Sequence, residues 1–380
     1  MKKQLIIDGT EDFVRVCVLE DGELVETLAS SRDRQSICGS VYLGRVLNVL
    51  PGLSAAFVDI GTDKNAILTE PEDIHEKPVR PGDEIVVQVT KVPGGEKGAT
   101  LSRNVKLAGR FSVLMPFSGG ASVSKKIDDE KEYARLKQIA NEIKPEGAGI
   151  ILRTSASGES RQTIREDATR LLGEWNDLTR RALHRKAPCL LRDESDLVYK
   201  AARDIFSEEF EEVVFSSEML YNSFCGFVSA FGPGLLQRVK LVKTENLLAL
   251  YRIVSQLEKL GQRKIWLKCG GCIVIDRTEA MTVIDVNSAK AVDIKDAESN
   301  ILKVNMEAAD EIVKQMRLRD VGGIIVADFI NMKDKTHKNL LLEHLKETAK
   351  RDRNRLNVVD ITPLGLVEMT RKRKNETVTY

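Results

Sequence analysis

The chain is poor in histidine. His75, His184, His337 and His344 are its only four, and they form no ligand cluster, which argues against a histidine-built zinc site. Cysteine is also sparse, with six scattered thiols at Cys17, Cys38, Cys189, Cys225, Cys269 and Cys272. In a long chain this pattern favours reduced thiols over a disulfide framework. The pair Cys269-Gly-Gly-Cys272 has redox-motif spacing, yet it precedes a strand instead of opening a helix, and no second pair exists. No apolar run approaches the roughly 20 residues that span a bilayer. The N-terminal MKKQLIIDGTEDF has too short an apolar run for a secretory leader, so the expected setting is cytoplasmic. Net charge is only +1, so any nucleic-acid surface must come from local clustering. What is present is ordinary soluble composition, 42% hydrophobic and 30% charged over 380 residues, which suggests two or more domains.

Along the chain, QLIID, VRVCVLE and the run after Asp21-Gly22 read as strands of a hairpin that needs a larger sheet. From Gly39 the texture changes to about five short β-rich runs separated by Pro-Gly, Gly-Thr-Asp and Pro-Glu-Asp turns. That spacing fits a small barrel of the oligonucleotide-binding type. Tyr42, Phe57, Lys91 and Lys97 are its candidate contacts for a single strand. Phe57, in AAFVDIG, reads equally well as barrel core. DDEKEYARLKQIANEIK predicts an amphipathic helix with an acidic start. AGIILRTSASG predicts a strand opening into a loop with Arg153 and Thr154. A long helix is expected over Ser160–Arg185, ended by Pro188. The last third alternates strands with helices, which predicts an α/β sheet with ligands at the strand ends.

Two of those strand ends carry aspartates. In MTVIDVNSAK, side chains alternate, so Val283, Asp285 and Asn287 share one face while Ile284 and Val286 pack inward. In GGIIVADFINM, Asp328 ends its own strand. If the two strands are neighbours, the carboxylates face each other, and like charges at that range disfavour mutual ionisation. A divalent cation removes the conflict. Magnesium suits such a site, because it takes hard oxygen ligands and keeps several waters. Asn287 could orient Asp285 by a hydrogen bond. The competing reading is that strand-end aspartates cap a following helix or solvate a loop.

These same stretches, IVIDRTEAMTVIDVNSAK, NMEAADEIVKQMRLRDVGGIIVADFINM and LGLVEMTRKR, closely resemble the catalytic part of the ribonuclease E/G family of bacterial endoribonucleases. VYLGRVLNVLPGLSAAFVDIG resembles the family's S1 domain, and LAGRFSVLMP with IILRT its 5′-sensor region. The resemblance implies an α/β multi-domain chain, α+β in overall class. Residues 1–37 and 197–260 would form a split RNase H-like domain, 38–105 an S1 (OB-type) barrel, 106–196 the 5′ sensor and 261–380 a DNase I-like subdomain. It implies Mg²⁺ held by Asp285 and Asp328, with Asn287 in support, and hydrolysis of single-stranded RNA to 5′-phosphate and 3′-hydroxyl ends. It further implies that Gly109, Val113, Arg153, Thr154 and Arg355 meet a substrate 5′-monophosphate, and that Phe57, Ile67 and Lys97 meet the RNA.

Three departures accompany the resemblance. Lys125 and Lys126 stand where the family commonly has an arginine pair, keeping charge but losing the planar fork. Ile67 replaces a second stacking aromatic. After MTRKR the family typically continues to a Cys-Pro-x-Cys zinc link between protomers, whereas this sequence runs to NETVTY. The resemblance implies a homo-oligomer, but the cysteines of its zinc link are absent from this sequence. The alternative reading is a non-catalytic S1-type RNA-binding protein, with the aspartates as relics.

Overall fold

The computed structural model describes residues 2–31, 36–69, 78–91, 98–288 and 297–372. It divides into two compact units. One comprises Met1–Ala29, Glu208–Glu218 and Arg238–Tyr380, the other Ser30–Ser207 and Met219–Gln237.

In the first unit, β1 (Lys3–Gly9), β2 (Phe13–Glu20) and β3 (Glu23–Ser31) form an antiparallel meander whose inward residues, such as Ile6, Cys17 and Leu24, are fully buried. The second unit begins with a barrel of β4 (Val41–Leu50), β5 (Ala55–Asp59), β6 (Ala66–Thr69), β7 (Glu84–Lys91) and β8 (Thr100–Ser102). The hydrogen-bonded order β4-β5-β6-β8-β7 closes because β7 also pairs with β4. This is a five-stranded barrel of the OB type, inserted in an α/β multi-domain chain.

Next in the second unit come β9 (Leu107–Ala108), β10 (Ser112–Met115), β11 (Gly120–Val123) and β12 (Gly149–Leu152), in the order β11-β12-β10-β9. LAGRFSVLMPF forms two strands, β9 and β10, broken by a turn at Gly109–Phe111. Helix α1 (Glu130–Ile143) starts where Asp129 accepts from the backbone N–H of Lys131 and Glu132. Helix α2 (Arg161–His184) starts where Ser160 accepts from Thr163. Leu171 and Leu178 of α2 pack with Val41, Leu43, Leu107 and Leu114. Then β13 (Cys189–Arg192) pairs with the first residues of β4.

The chain returns to the first unit with β14 (Phe210–Phe215) and β15 (Val239–Leu241), both parallel additions beside β1. Six more strands follow: β16 (Lys264–Trp266), β17 (Cys272–Arg277), β18 (Met281–Asn287), β19 (Gly323–Asp328), β20 (Leu356–Ile361) and β21 (Leu366–Arg371), ordered β16-β17-β18-β19-β21-β20. The helix Ala297–Leu318 links β18 to β19, which permits their parallel pairing. Its Val304, Ala308 and Ile312, with Leu341 and Leu345 of the helix Lys335–Ala349, cover one sheet face through Ile273, Ile284, Ile325 and Met369. The other face holds the alternate residues.

Candidate active site

On β18 the burial pattern alternates, with Val283, Asp285 and Asn287 exposed and Thr282, Ile284 and Val286 buried. Parallel pairing places Asp285 directly opposite Asp328, and Ile284 opposite Ala327. Register partners project to the same side of a sheet, about 5 Å apart, so the two carboxylates stand side by side on the uncovered face. Asn287 donates from Nδ2 to Asp285 Oδ2 at 2.6 Å. The Asp328 carboxylate has no hydrogen-bond partner among the described residues. Also among the described residues, no group of three or more His, Cys, Asp or Glu is placed to hold a metal ion. Among the described residues the paired strands thus present two carboxylates, Asp285 and Asp328. A pair of this kind can hold a hard cation such as Mg²⁺, which keeps several waters and takes one or two protein carboxylates plus substrate phosphate.

In the second unit the structure brings together Gly109, Arg153 and Thr154. Arg153 donates from Nη1 to the Gly109 carbonyl and from Nη2 to Asp204 at 2.6 Å. Thr154 Oγ1 lies 3.0 Å from Ser124 Oγ. Val113 sits on β10, half-buried, opposite Ile151 of β12. Lys125 and Lys126 are exposed directly after Ser124. Arg355 belongs to the first unit, exposed before β20 with φ 58°.

Sequence reasoning missed two acids here. Asp167, buried within α2, accepts from the backbone N–H groups of Arg110, Phe111 and Ser112 and from the Ser112 hydroxyl. It fixes the turn that carries Gly109. A Cβ at that glycine would come within 2.5 Å of the Asp167 carboxylate, so only glycine fits. Asp204 is the second. Arg203 grips it through Nε at 3.1 Å and Nη2 at 2.8 Å, and Arg203 also bonds Glu194, which is bonded by Arg192. Arg153 is thus the outer end of an alternating ladder of charges. Burial pushes the Asp204 carboxyl up, but the hydrogen bond and charge of Arg203, then of Arg153, outweigh it and hold the group well below the usual carboxylate range. Burial, with Arg153 nearby, pushes Arg110 down to about 10. Only the adjacency Arg203-Asp204 hinted at the ladder in sequence. Nothing marked Asp167.

On the barrel, Phe57 is 37% exposed, flanked by the buried Ala56 and Val58, so it faces outward instead of forming core. Ile67, half-buried, is its direct cross-strand partner. Tyr42 corrects an expectation. It is buried in the barrel core beside Val58 and Leu68, because it lies on the inner face of β4 while Val41 and Leu43 turn to the core shared with α2. Lys91 is exposed at the end of β7, and Lys97 lies outside the described residues.

Comparison with known proteins accounts for this combination. The model of the ribonuclease E/G family matches residues 106–374. Ribonuclease G of Salmonella typhimurium (strain SL1344) is 34% identical over 400 residues, covering 100% of this chain and 82% of that protein. Ribonuclease E of Escherichia coli (strain K12) is 34% identical over 391 residues, 98% of this chain and 37% of its own length. Ribonuclease E of Haemophilus influenzae is 35% identical over 391 residues, 98% and 42% respectively. A similarity that runs end to end through barrel, sheet and strand-end carboxylates leaves one conclusion: the chain belongs to the ribonuclease E/G family.

Proposed function

We propose that this chain is a Mg²⁺-dependent endoribonuclease that cuts single-stranded RNA in RNA processing and decay, and that a substrate 5′-monophosphate stimulates it. The observation that carries the reading is the register of Asp285 with Asp328 on an open sheet face, in a chain 34% identical to ribonuclease G over its whole length. Asp285 and Asp328 hold the cation. Asn287 fixes the Asp285 carboxylate through Oδ2, so that its orientation does not depend on the ion. Bound Mg²⁺ supplies a water of lowered pKa and offsets charge on the phosphoryl oxygens. Hydrolysis that breaks the bond from phosphorus to the 3′ oxygen leaves a 5′-phosphate and a 3′-hydroxyl.

Phe57 and Ile67 form the barrel's apolar contact for bases, with Lys97 supplying charge. Phe57 can stack, and Ile67 offers apolar contact alone. Arg153 and the Thr154 hydroxyl receive the 5′-phosphate beside Gly109 and Val113. The Arg153 guanidinium has more N–H donors than Gly109 and Asp204 use, so a phosphate can be added to its existing bonds. In domain terms, 1–37 with 197–260 is RNase H-like, 38–105 the S1 barrel, 106–196 the 5′ sensor and 261–380 DNase I-like. Among the described residues no helix is long and apolar enough to cross a membrane, and the proposed setting is the cytoplasm.

The test is cleavage of labelled single-stranded RNA with and without Mg²⁺, by wild type and Asp285→Asn. Products from the wild type only, and only with metal, are expected. Binding without products at any metal concentration would instead make the chain an S1-type RNA-binding protein.

A further inference from the structure

The uncovered face of the six-stranded sheet carries a large aromatic that the proposed mechanism does not use. Trp266 ends the edge strand β16 and is 64% exposed. Its register partner is Cys272 on β17, whose own partner on β18 is Asn287. One row along, Lys264, Val274, Asp285 and Asp328 lie abreast across four strands. Ile265, between Lys264 and Trp266, packs into the helix-covered core, so its two neighbours point the opposite way, to the side that holds the carboxylates. Strand spacing of about 4.8 Å and a two-residue rise of about 6.8 Å put Trp266 roughly 12 Å along the sheet from Asp285. Lys264 Nζ stands 4.2 Å from the centroid of the indole ring.

An exposed indole with a cation beside it suits a ligand that offers both a flat apolar face and negative charge. A nucleotide has both, and indole stacking on a base tolerates any sequence. A second copy of this chain or an anionic membrane suits the face less well. Asp285, Asp328 and Glu368 share it, and Val283, Val326 and Glu368 continue the row of Asp276, whose charge Arg263 answers. Such a face repels its own copy and anionic lipid, whereas RNA is drawn to it through a cation at the paired aspartates.

We propose that Trp266 and Lys264 form a nucleotide subsite: Trp266 stacks on an unpaired base flanking the scissile phosphate, and Lys264 neutralises an adjacent backbone phosphate. The separation from Asp285 assigns the subsite to a neighbour of the cleaved linkage and not to the linkage itself. The inference rests on the reading of Asp285 and Asp328 as the cleavage site, and it names a second aromatic for substrate grip besides Phe57.

The chain has two tryptophans, and the other, Trp175, packs edge-on against Phe117 at 5.2 Å. Trp266 can therefore be made the sole indole with Trp175→Phe, and Asp285→Asn keeps the RNA intact. Titration with a short single-stranded oligoribonucleotide should quench the remaining emission to saturation, at the concentration where anisotropy of the labelled RNA reports binding. An abasic site walked along the strand should abolish the quenching at one position. In the cleaving enzyme, Trp266→Ala should raise KM about tenfold, the loss of one stacked base, while Trp266→Phe keeps most of the affinity. Lys264→Gln should lower the salt slope of binding by about one. RNA binding at saturation with unchanged emission, or an unchanged KM in Trp266→Ala, would overturn the subsite. So would emission that changes with protein concentration alone, which would give the face to a second copy. Quenching by RNA in a protein whose wild type never cleaves would remove the cleavage reading and leave the base platform standing.

Discussion

The surroundings of Arg153 and of Asp285 differ in how far the protein has already answered their charges. Along the ladder from Arg192 to Arg153, each cation has an anion beside it, and Glu194 and Arg203 are buried while bonded. At Asp285 and Asp328, like charges stand abreast on an open face, with a single amide in support. An anion receptor built on arginine can be held ready, because a neighbouring carboxylate fixes the guanidinium without using all its donors. A cation site made of carboxylates has no such internal partner, and its neutralising charge must arrive from solution. The charge of one cluster is answered by the fold, and that of the other by the solution.

That contrast can be broken most directly at the carboxylates. Asp285→Asn or Asp328→Asn should lower kcat by more than about 100-fold, since even outer partners of a metal ligand are worth 10–100-fold. The folded structure should be unharmed, as both groups are exposed, and unchanged melting with lost cleavage is the signature to seek. The opposite outcome is expected at Asp167. Asp167→Ala strands buried N–H groups of the Arg110–Ser112 turn and should cost about 2–3 kcal/mol, read as a shifted denaturant midpoint. Asn287→Ala should reduce cleavage by about 10–100-fold and be partly rescued by raised Mg²⁺, because the ion can take over orientation of Asp285. Rescue to no degree at any Mg²⁺ would show that the amide does more than aim its neighbour.

The smallest effects concern Asp204. Asp204→Asn should narrow the rate difference between 5′-monophosphate and 5′-hydroxyl substrates by loosening Arg153, measured on matched oligonucleotides. Its stability effect has a defined pH window. The arginines depress the folded-state pKa against the pull of burial, so the carboxylate's contribution is complete above the unfolded value near ~3.9 and is lost as pH falls through the lower folded one. The gap between wild type and Asp204→Asn should be constant from neutral pH to about 5 and should narrow steadily as pH falls below about 4. A gap that instead grows on acidification would contradict the ladder.

Much of this arrangement was legible from local pattern. Strict alternation in MTVIDVN assigned the face of Asp285 and Asn287, and the acidic start of DDEKEYARLKQIANEIK and the run from Ser160 to Arg185 marked the helices α1 and α2. The alignment of Asp285 with Asp328 was conditional in sequence, because it depends on parallel pairing across a 22-residue helix. On the barrel pattern alone Tyr42 and Phe57 were both candidates, and only the family resemblance singled out Phe57. Which of them faces water follows from the pairing of β4 with β5, β7 and β13 and from a bulge between Val46 and Asn48, neither of which leaves a local mark. Asp167 was invisible for a related reason. It looks like any solvated helix acid until the turn it holds is folded against it.

The placement of β13 has a consequence for how this half of the chain unfolds. A strand that follows α2 completes the edge of the barrel's first strand, and that strand's Val41 and Leu43 share a core with Leu107, Leu171 and Leu178. Cutting the barrel out at residue 105 would leave that edge unpaired and that core opened to water. Grip on the strand and recognition of its end should therefore melt in one cooperative transition, and a protease that nicks either should release both.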